Sequence, residues 1–234
     1  MIKEFDYKSQ KFSSLKPQSS LIGDVEVFKF TDNNIEISSL EIFFNLGKRD
    51  VRKGLGPFLS RCFSFLEVDG KKISEVVEFS GARVSLDVSG TGTSLKIYAL
   101  TKHINSLRVL IIKAFEQIKL SYDSFNQVKS VLLKDRLLQA SKKEFILNKA
   151  LQRVIYDSAL HFASFDELRE VSKRDIEVAF ERFQDAFSKV ICLNLSNLDW
   201  LNKHTVNRDR CALVLHNESL RVKSFSKLNE EQSL

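Results

Sequence analysis

The chain of 234 residues is long enough to bury a sizeable core, and its composition, 43% hydrophobic and 28% charged, is typical of globular proteins. No apolar run approaches the roughly 20 residues that span a bilayer, which excludes a transmembrane helix. The net charge of +6 is compatible with an acidic partner, but 36 basic residues are interleaved with 30 acidic ones, as on ordinary solvated surfaces.

The sequence contains few features that indicate a cellular compartment or a metal site. Residues 1–6 have neither the basic-then-apolar order of a signal peptide nor the arginine-rich start of a transit peptide, so we expect a cytoplasmic protein. Cys62, Cys192 and Cys211 are widely spaced in apolar contexts, which predicts buried free thiols. No C-x-x-C pair occurs and the histidines are scattered, so we expect neither a metal cluster nor a cofactor.

The N-terminal part of the chain predicts strands after an irregular start. Residues 1–20 are polar and serine-rich and predict an irregular or edge-hugging lead-in. Residues 24–30 alternate between apolar and polar side chains, which predicts a strand, and residues 31–34 predict a turn. The return strand begins at residues 35–37 and continues, as a meander, into a largely buried strand over residues 40–46.

An amphipathic helix is predicted to begin near residue 55, after a charged loop over residues 48–53. Gly54 gives the chain a flexible entry, and Pro57 is tolerated in the first turn because it has no backbone N–H to leave unpaired there. A second, shorter helix over residues 73–82 is closed by a glycine. The apolar side chains of the first helix share one face: Leu55, Phe58, Leu59, Cys62, Phe63 and Leu66.

A β-hairpin follows. Residues 83–89 and 94–100 both alternate, and residues 90–93 form the turn between them. Gly90 and Gly92 also occur in phosphate-binding loops, but no Gly-Lys-Ser/Thr sequence follows, so the hairpin is favoured.

The next stretch, from residue 104 to about residue 187, has helical spacing and contains no glycine or proline. Ser172 and Asp175 resemble a capping box at the start of its last helix. The spacing predicts four helices, marked by residues 107–118, 125–138, 145–155 and 176–187.

The C-terminal part returns to strands. Residues 190–195 predict a strand that rejoins the sheet, and residues 210–216 and 220–225 predict an additional hairpin. Trp200 and Leu201 are expected to anchor the connection between them.

This order of elements predicts an α+β fold with a mostly antiparallel sheet and helices packed on one face. We expect an irregular lead-in over residues 1–20, one α+β domain over residues 21–197 and a C-terminal extension over residues 198–234.

The run of strand, charged loop, helix, short helix and Gly81-Ala82 resembles the first half-domain of the insulinase, pitrilysin and mitochondrial processing peptidase superfamily, over about residues 25–197. In that family the first helix follows a Gly-Leu-Ala type start and carries the inverted zinc motif H-x-x-E-H. Its two histidines bind zinc, and its glutamate activates the water. The resemblance places these three positions on Pro57, Ser60 and Arg61.

The three motif positions carry no zinc chemistry. Proline and arginine do not coordinate zinc, and serine is a poor replacement for a carboxylate base. The family's third ligand, a glutamate on a later helix, has no secure counterpart, although Asp135 lies in roughly the corresponding region. The resemblance therefore implies no catalytic residue and no metal.

By this resemblance the chain is a non-catalytic half-domain of an insulinase-like zinc peptidase assembly that acts as partner or scaffold. It implies a homodimer or a heterodimer with a zinc-bearing homologue, and an extended peptide as ligand. Ser60 and Arg61 are the candidate peptide or partner contacts, since a guanidinium pairs with a carboxylate or a peptide carbonyl. A solvated or locally paired Arg61 is the simpler interpretation.

Other interpretations fit the same residues. The charged loop suggests a basic binding module for nucleic acid or another acidic partner. A hydrolase with a rearranged site would need Ser60 as nucleophile, but no histidine lies near Ser60 in the sequence. An unrelated basic α+β domain would also show an amphipathic helix after a strand.

Overall fold

The computed structural model describes residues 16–32, 34–156, 163–184 and 186–195, together with residues 198, 200 and 201. The strands in this part of the chain are β1 Gln18–Ile22, β2 Val25–Phe30, β3 Ile37–Phe44, β4 Glu67–Val68, β5 Lys71–Lys72, β6 Arg83–Val88, β7 Thr93–Leu100 and β8 Phe187–Leu193. The helices are α1 Leu55–Cys62, α2 Ile73–Phe79, α3 Thr101–Glu116, α4 Tyr122–Ala140, α5 Lys143–Tyr156, α6 Phe165–Arg169 and α7 Lys173–Phe183.

Six of these strands form one sheet in the order β1-β2-β8-β3-β7-β6, and β4 and β5 form a separate two-stranded hairpin. All neighbours in the large sheet are antiparallel except β2 and β8, which run parallel with Phe28 opposite Ile191. The predicted α+β class with a mostly antiparallel sheet is therefore confirmed.

The predicted meander from β2 into β3 is wrong, because β8 lies between these two strands. The connection after β2 instead crosses the end of β8, where Asn194 holds it. The Asn194 side-chain amide accepts a hydrogen bond from the Asp32 N–H at 2.8 Å and donates to the backbone carbonyls of Asp32 and Ile37 at 2.9 and 3.1 Å.

Several elements differ from the prediction; helix α2, for example, ends at Phe79 and not at residue 82. Residues 18–20, predicted as lead-in, belong to edge strand β1. Phe187, predicted as the last apolar residue of a helix, begins β8, because α7 ends at Phe183 and the Phe187 ring packs 4.9 Å from that of Phe44. The short helix α6 was not predicted. Residues 210–225 of the predicted hairpin lie outside the described residues.

The core lies between the helices and one face of the sheet. The predicted apolar face of α1 is confirmed: its six residues, through the 3-10 turn Phe63–Phe65 to Leu66, are each at most 4% exposed. The thiols of Cys62 and Cys192 are buried and free, as predicted. Leu201 is buried and Trp200 packs 6.2 Å from Phe187, which agrees with their predicted anchoring role.

Helix α5 is the exception to this packing. Its predicted apolar side, which includes Leu147, Leu151 and Val154, is more than half exposed. No helix among the residues described here has the length and apolar character that crossing a bilayer requires.

The turn between β6 and β7 packs against the backbone of Gly47, at the end of β3. A Cβ atom on Gly47 would lie 2.5 Å from the Gly92 nitrogen and 2.7 Å from the Gly90 oxygen. The adjacent N–H groups of Lys48 and Arg49 donate to the carbonyls of Ser89 and Gly90. This contact fixes the start of the loop that leads into α1.

We expect Gly47→Ala to lower the free energy of unfolding by about 1–3 kcal/mol, because backbone atoms of the turn would have to move. Thr91→Ala, an exposed position in the same turn, should change it by less than about 0.5 kcal/mol. Urea denaturation followed by circular dichroism measures both values. Equal stability of the two variants would contradict the close approach.

Candidate functional site

The candidate site is the polar side of α1, and the backbone before this helix sets its position. Gly54 precedes the helix with a φ of 93°, a left-handed conformation that glycine adopts without strain. At the start of the loop the Asp50 carboxylate accepts a hydrogen bond from the Gly47 N–H at 2.7 Å. The loop therefore delivers the chain to α1 in a defined direction.

Ion pairs tie the end of this loop to α6 and α7. The Arg52 guanidinium lies 3.0 Å from a Glu170 carboxylate oxygen and 3.3 Å from one of Asp175, and the Lys53 ammonium lies 3.0 Å from Glu167. Two of the loop's four basic residues thus already face carboxylates. This reduces the charge that the loop offers to nucleic acid.

Two of these carboxylates have lowered pKa values. For Glu167 the main cause is the hydrogen bond from the Ser164 backbone N–H, with Lys53 adding to it. Burial would raise the pKa of Asp175, but hydrogen bonds from Ser172 together with the Arg52 charge lower it. Both carboxylates also complete capping boxes, at the starts of α6 and α7, so the predicted Ser172–Asp175 box is confirmed.

The three motif positions lie on the side of α1 that faces away from the core. Pro57 and Ser60 are half-buried and Arg61 is exposed. The Arg61 guanidinium donates to the Asp135 carboxylate on α4 at 2.7 Å, and the two side chains are 43% and 40% exposed. The structure thus brings Arg61 and Asp135 together, and Arg61 is locally paired, as the simpler interpretation of the sequence expected.

The donor set at these positions does not fit zinc. Pro57 has no donor atom, Arg61 is a permanent cation, and the carboxylate of Asp135 already holds that cation. Cys62 is the nearest thiol in sequence, but it lies on the buried face, where burial raises its pKa to about 12. Over the described ranges, no cluster of three or more histidine, cysteine, aspartate or glutamate side chains is arranged to hold a metal.

Among the described residues, Ser60 has no activating base. Within the described part of the chain its hydroxyl makes no hydrogen bond, and a serine nucleophile requires a base within hydrogen-bonding distance. The structure therefore gives the rearranged-hydrolase interpretation no support.

A free sheet edge lies beside α1. The large sheet ends at β6, which packs against α1 and whose outer edge has no strand partner among the residues described. A small cleft of about 230 Å³ opens where β6 begins, lined by Phe63, Ile73, Val77 and Val84 among others. Sequence reasoning missed this cleft because separate segments build it.

A larger cleft of about 650 Å³ lies beside the start of β3. Its lining includes Lys29, Asp32, Leu100, Lys102 and Asn194. Its two lysines and its acidic side chains, Asp32 and Glu36, balance in charge, so they define no one class of ligand.

No family model and no curated protein matches the sequence. Solved structures do match the fold. A protease from Helicobacter pylori superposes with a TM-score of 0.64 at 15% identity, covering 88% of this chain and 51% of its own. The peptidase M16 inactive domain from Pseudomonas fluorescens superposes with a TM-score of 0.63 at 14% identity, covering 82% and 49%.

A structure named as an M16-like peptidase, from Alicyclobacillus acidocaldarius, gives a TM-score of 0.60 at 12% identity and covers 86% of this chain and 50% of its own. The chain thus spans about half the length of the solved structures it resembles. At these identities the likeness establishes the fold, which is that of M16-like peptidase structures, one of them an inactive domain.

The ion pairs around the loop predict a stability that depends on pH. Because the pKa values of Glu167 and Asp175 are lowered in the fold, their stabilisation is complete above the ordinary carboxyl pKa of about 4 and is lost as the pH falls below it. We therefore expect E167Q/D175N to have a lower melting temperature than the natural protein at pH 7. The difference should shrink towards pH 3.

Thermal unfolding between pH 7 and pH 3 tests this, with E116Q as the control because Glu116 is an exposed carboxylate at the end of α3. The control should follow the natural protein throughout. A difference between E167Q/D175N and the natural protein that stays constant with pH would contradict the assignment.

Proposed function

We propose that this chain is a non-catalytic half-domain of an insulinase-like zinc peptidase assembly, in which it acts as a partner or scaffold subunit and binds an extended peptide. One observation carries the proposal. On a fold shared with M16-like peptidase structures, the two positions that the sequence resemblance assigns to zinc-binding histidines carry Pro57 and Arg61, and Arg61 forms an ion pair with Asp135.

The length comparison supports the role of a subunit. Each of the three solved structures is about twice as long as the region that this chain matches. A second half of similar size would complete such an assembly, supplied by another copy or by a zinc-bearing homologue. A stable interface commonly covers about 800 Å² on each partner.

The edge of β6 supports peptide binding. An unpaired edge offers backbone N–H and C=O groups that an extended peptide can join as an added strand. The neighbouring small cleft has a mixed lining, with Phe63, Ile73 and Val77 among its apolar residues and Glu78 and Arg83 among its charged ones, and it would take one side chain of that peptide. Ser60 and Arg61, on the helix packed against β6, are the proposed polar contacts.

Arg61 is free to exchange its partner at low cost. Exposed ion pairs contribute about 0.2–1 kcal/mol, so the guanidinium can leave Asp135 for a carboxylate or carbonyl of a ligand. The same pair keeps Asp135 neutralised when no ligand is bound.

Metal analysis tests the absence of a zinc site. After dialysis against zinc and removal of excess metal, we expect the natural protein to retain far less than one zinc per chain. P57H/R61H should retain about one, because two imidazoles would then lie on one side of α1 beside Asp135. P57H/R61H/D135N is the matched control and should bind more weakly. Stoichiometric zinc in the natural protein would overturn the proposal.

Sedimentation at micromolar concentration tests the assembly. We expect a dimer, or a companion peptidase recovered from the native extract. The result against it is a clean monomer with no partner recovered and no loss of a companion peptidase's activity when this chain is deleted.

A further inference from the structure

Helix α5 turns its apolar side away from the protein. Phe145 and Lys149, on the inner side, are partly buried. The opposite side carries Leu147, Ala150, Leu151 and Val154 at i, i+3, i+4 and i+7, and all four are exposed. An amphipathic helix normally buries such a stripe, but no part of the chain that the structure describes covers this one.

The neighbouring end of α4 extends this exposed surface. Leu137 and Leu138 lie in the last turn of α4, and Ile146 lies in the first turn of α5, just beyond the connection between the helices. We call the following set the α4–α5 tip, and each of its residues is more than half exposed: Leu137, Leu138, Ile146, Leu147, Leu151 and Val154.

The helices that carry the tip are basic. Residues 122–156 contain seven basic and three acidic side chains, a net +4 of the chain's +6. One of the acidic residues, Asp135, is already paired with Arg61. Lys134, Lys142 and Lys143 are exposed and make no ion pair with a described residue. The tip thus combines exposed leucines with uncompensated positive charge.

This combination selects among the possible partners. A second copy docked through the same surface would bring like-charged lysines together about a two-fold axis. Nucleic acid would neutralise the lysines but leave the leucines in water. An anionic lipid surface satisfies both groups, because leucines enter the boundary between headgroups and acyl chains while lysines meet the headgroup charges.

We propose that the α4–α5 tip is a docking site for the surface of an anionic lipid bilayer. The leucines of the tip supply the apolar insertion, and Lys134, Lys142 and Lys143 supply the electrostatic attraction. Lasting attachment to a bilayer needs both apolar insertion and electrostatic attraction, and the tip carries both. This inference does not depend on the proposed peptidase-like role, which concerns α1 and β6.

Flotation with two kinds of vesicle tests the proposal on the full chain. We expect binding to vesicles of phosphatidylcholine with phosphatidylglycerol, and binding at least about tenfold weaker to vesicles of phosphatidylcholine alone. Binding to the anionic vesicles should weaken as salt rises, because salt screens the lysine charges.

Two variants separate the two contributions. L147S/L151S should weaken binding to anionic vesicles at least about tenfold, and K142Q/K143Q about 25-fold, at about fivefold for each lysine charge removed. L21S is the matched control, since Leu21 is an equally exposed leucine on edge strand β1 and should leave binding unchanged. Circular dichroism confirms that each variant is folded.

Three results would overturn the inference. The first is no binding to anionic vesicles at low salt, and the second is binding that neither tip variant weakens. The third is self-association in sedimentation that L147S/L151S abolishes while vesicle binding is unchanged, which would assign the tip to a second copy. Zinc content and the recovery of a peptidase partner would be unaffected by any of these.

Discussion

The fold depends on an aromatic cluster centred on Phe44, at the end of β3. Its ring lies 5.8 Å from Phe115 on α3, 5.1 Å from Phe183 on α7 and 4.9 Å from Phe187 at the start of β8. Phe115 in turn lies 5.7 Å from Phe63, directly after α1. Each such pair contributes about 0.5–1.5 kcal/mol beyond burial, so the cluster joins the sheet to three helices through one set of contacts.

In this arrangement the residues that hold α1 in place differ from the residues that form the candidate site. Packing specifies only the buried side of α1, whereas Pro57, Ser60 and Arg61 lie on the side that the core does not constrain. The residues on this outer side of α1 can therefore change without any loss of fold. The Arg61–Asp135 ion pair is exposed, so it adds little to the packing that holds the helix in place.

Local patterns were enough to predict what is local. Spacing predicted the buried face of α1, and the capping box predicted the start of α7. The position of β8 could not be predicted, because it depends on pairing between strands that are far apart in sequence. A hydrogen bond between Asp32 and Asn194, 162 residues apart, then secures this arrangement. Spacing also predicted the apolar stripe of α5. It could not predict that this stripe faces solvent, because tertiary packing decides which side of a helix is buried. The pairing of Arg61 with Asp135, 74 residues apart, was beyond periodicity for the same reason.

The place of β8 in the sheet has a consequence for how the protein is made. Until residues 187–193 leave the ribosome, β2 and β3 have no strand between them, and each exposes an inner edge to other chains. The closing step joins Glu26 to Lys189 across most of the domain, which is the kind of distant pairing that slows folding. Pairing of β8 with both strands thus closes two inner edges that, while open, are targets for chaperones and for aggregation.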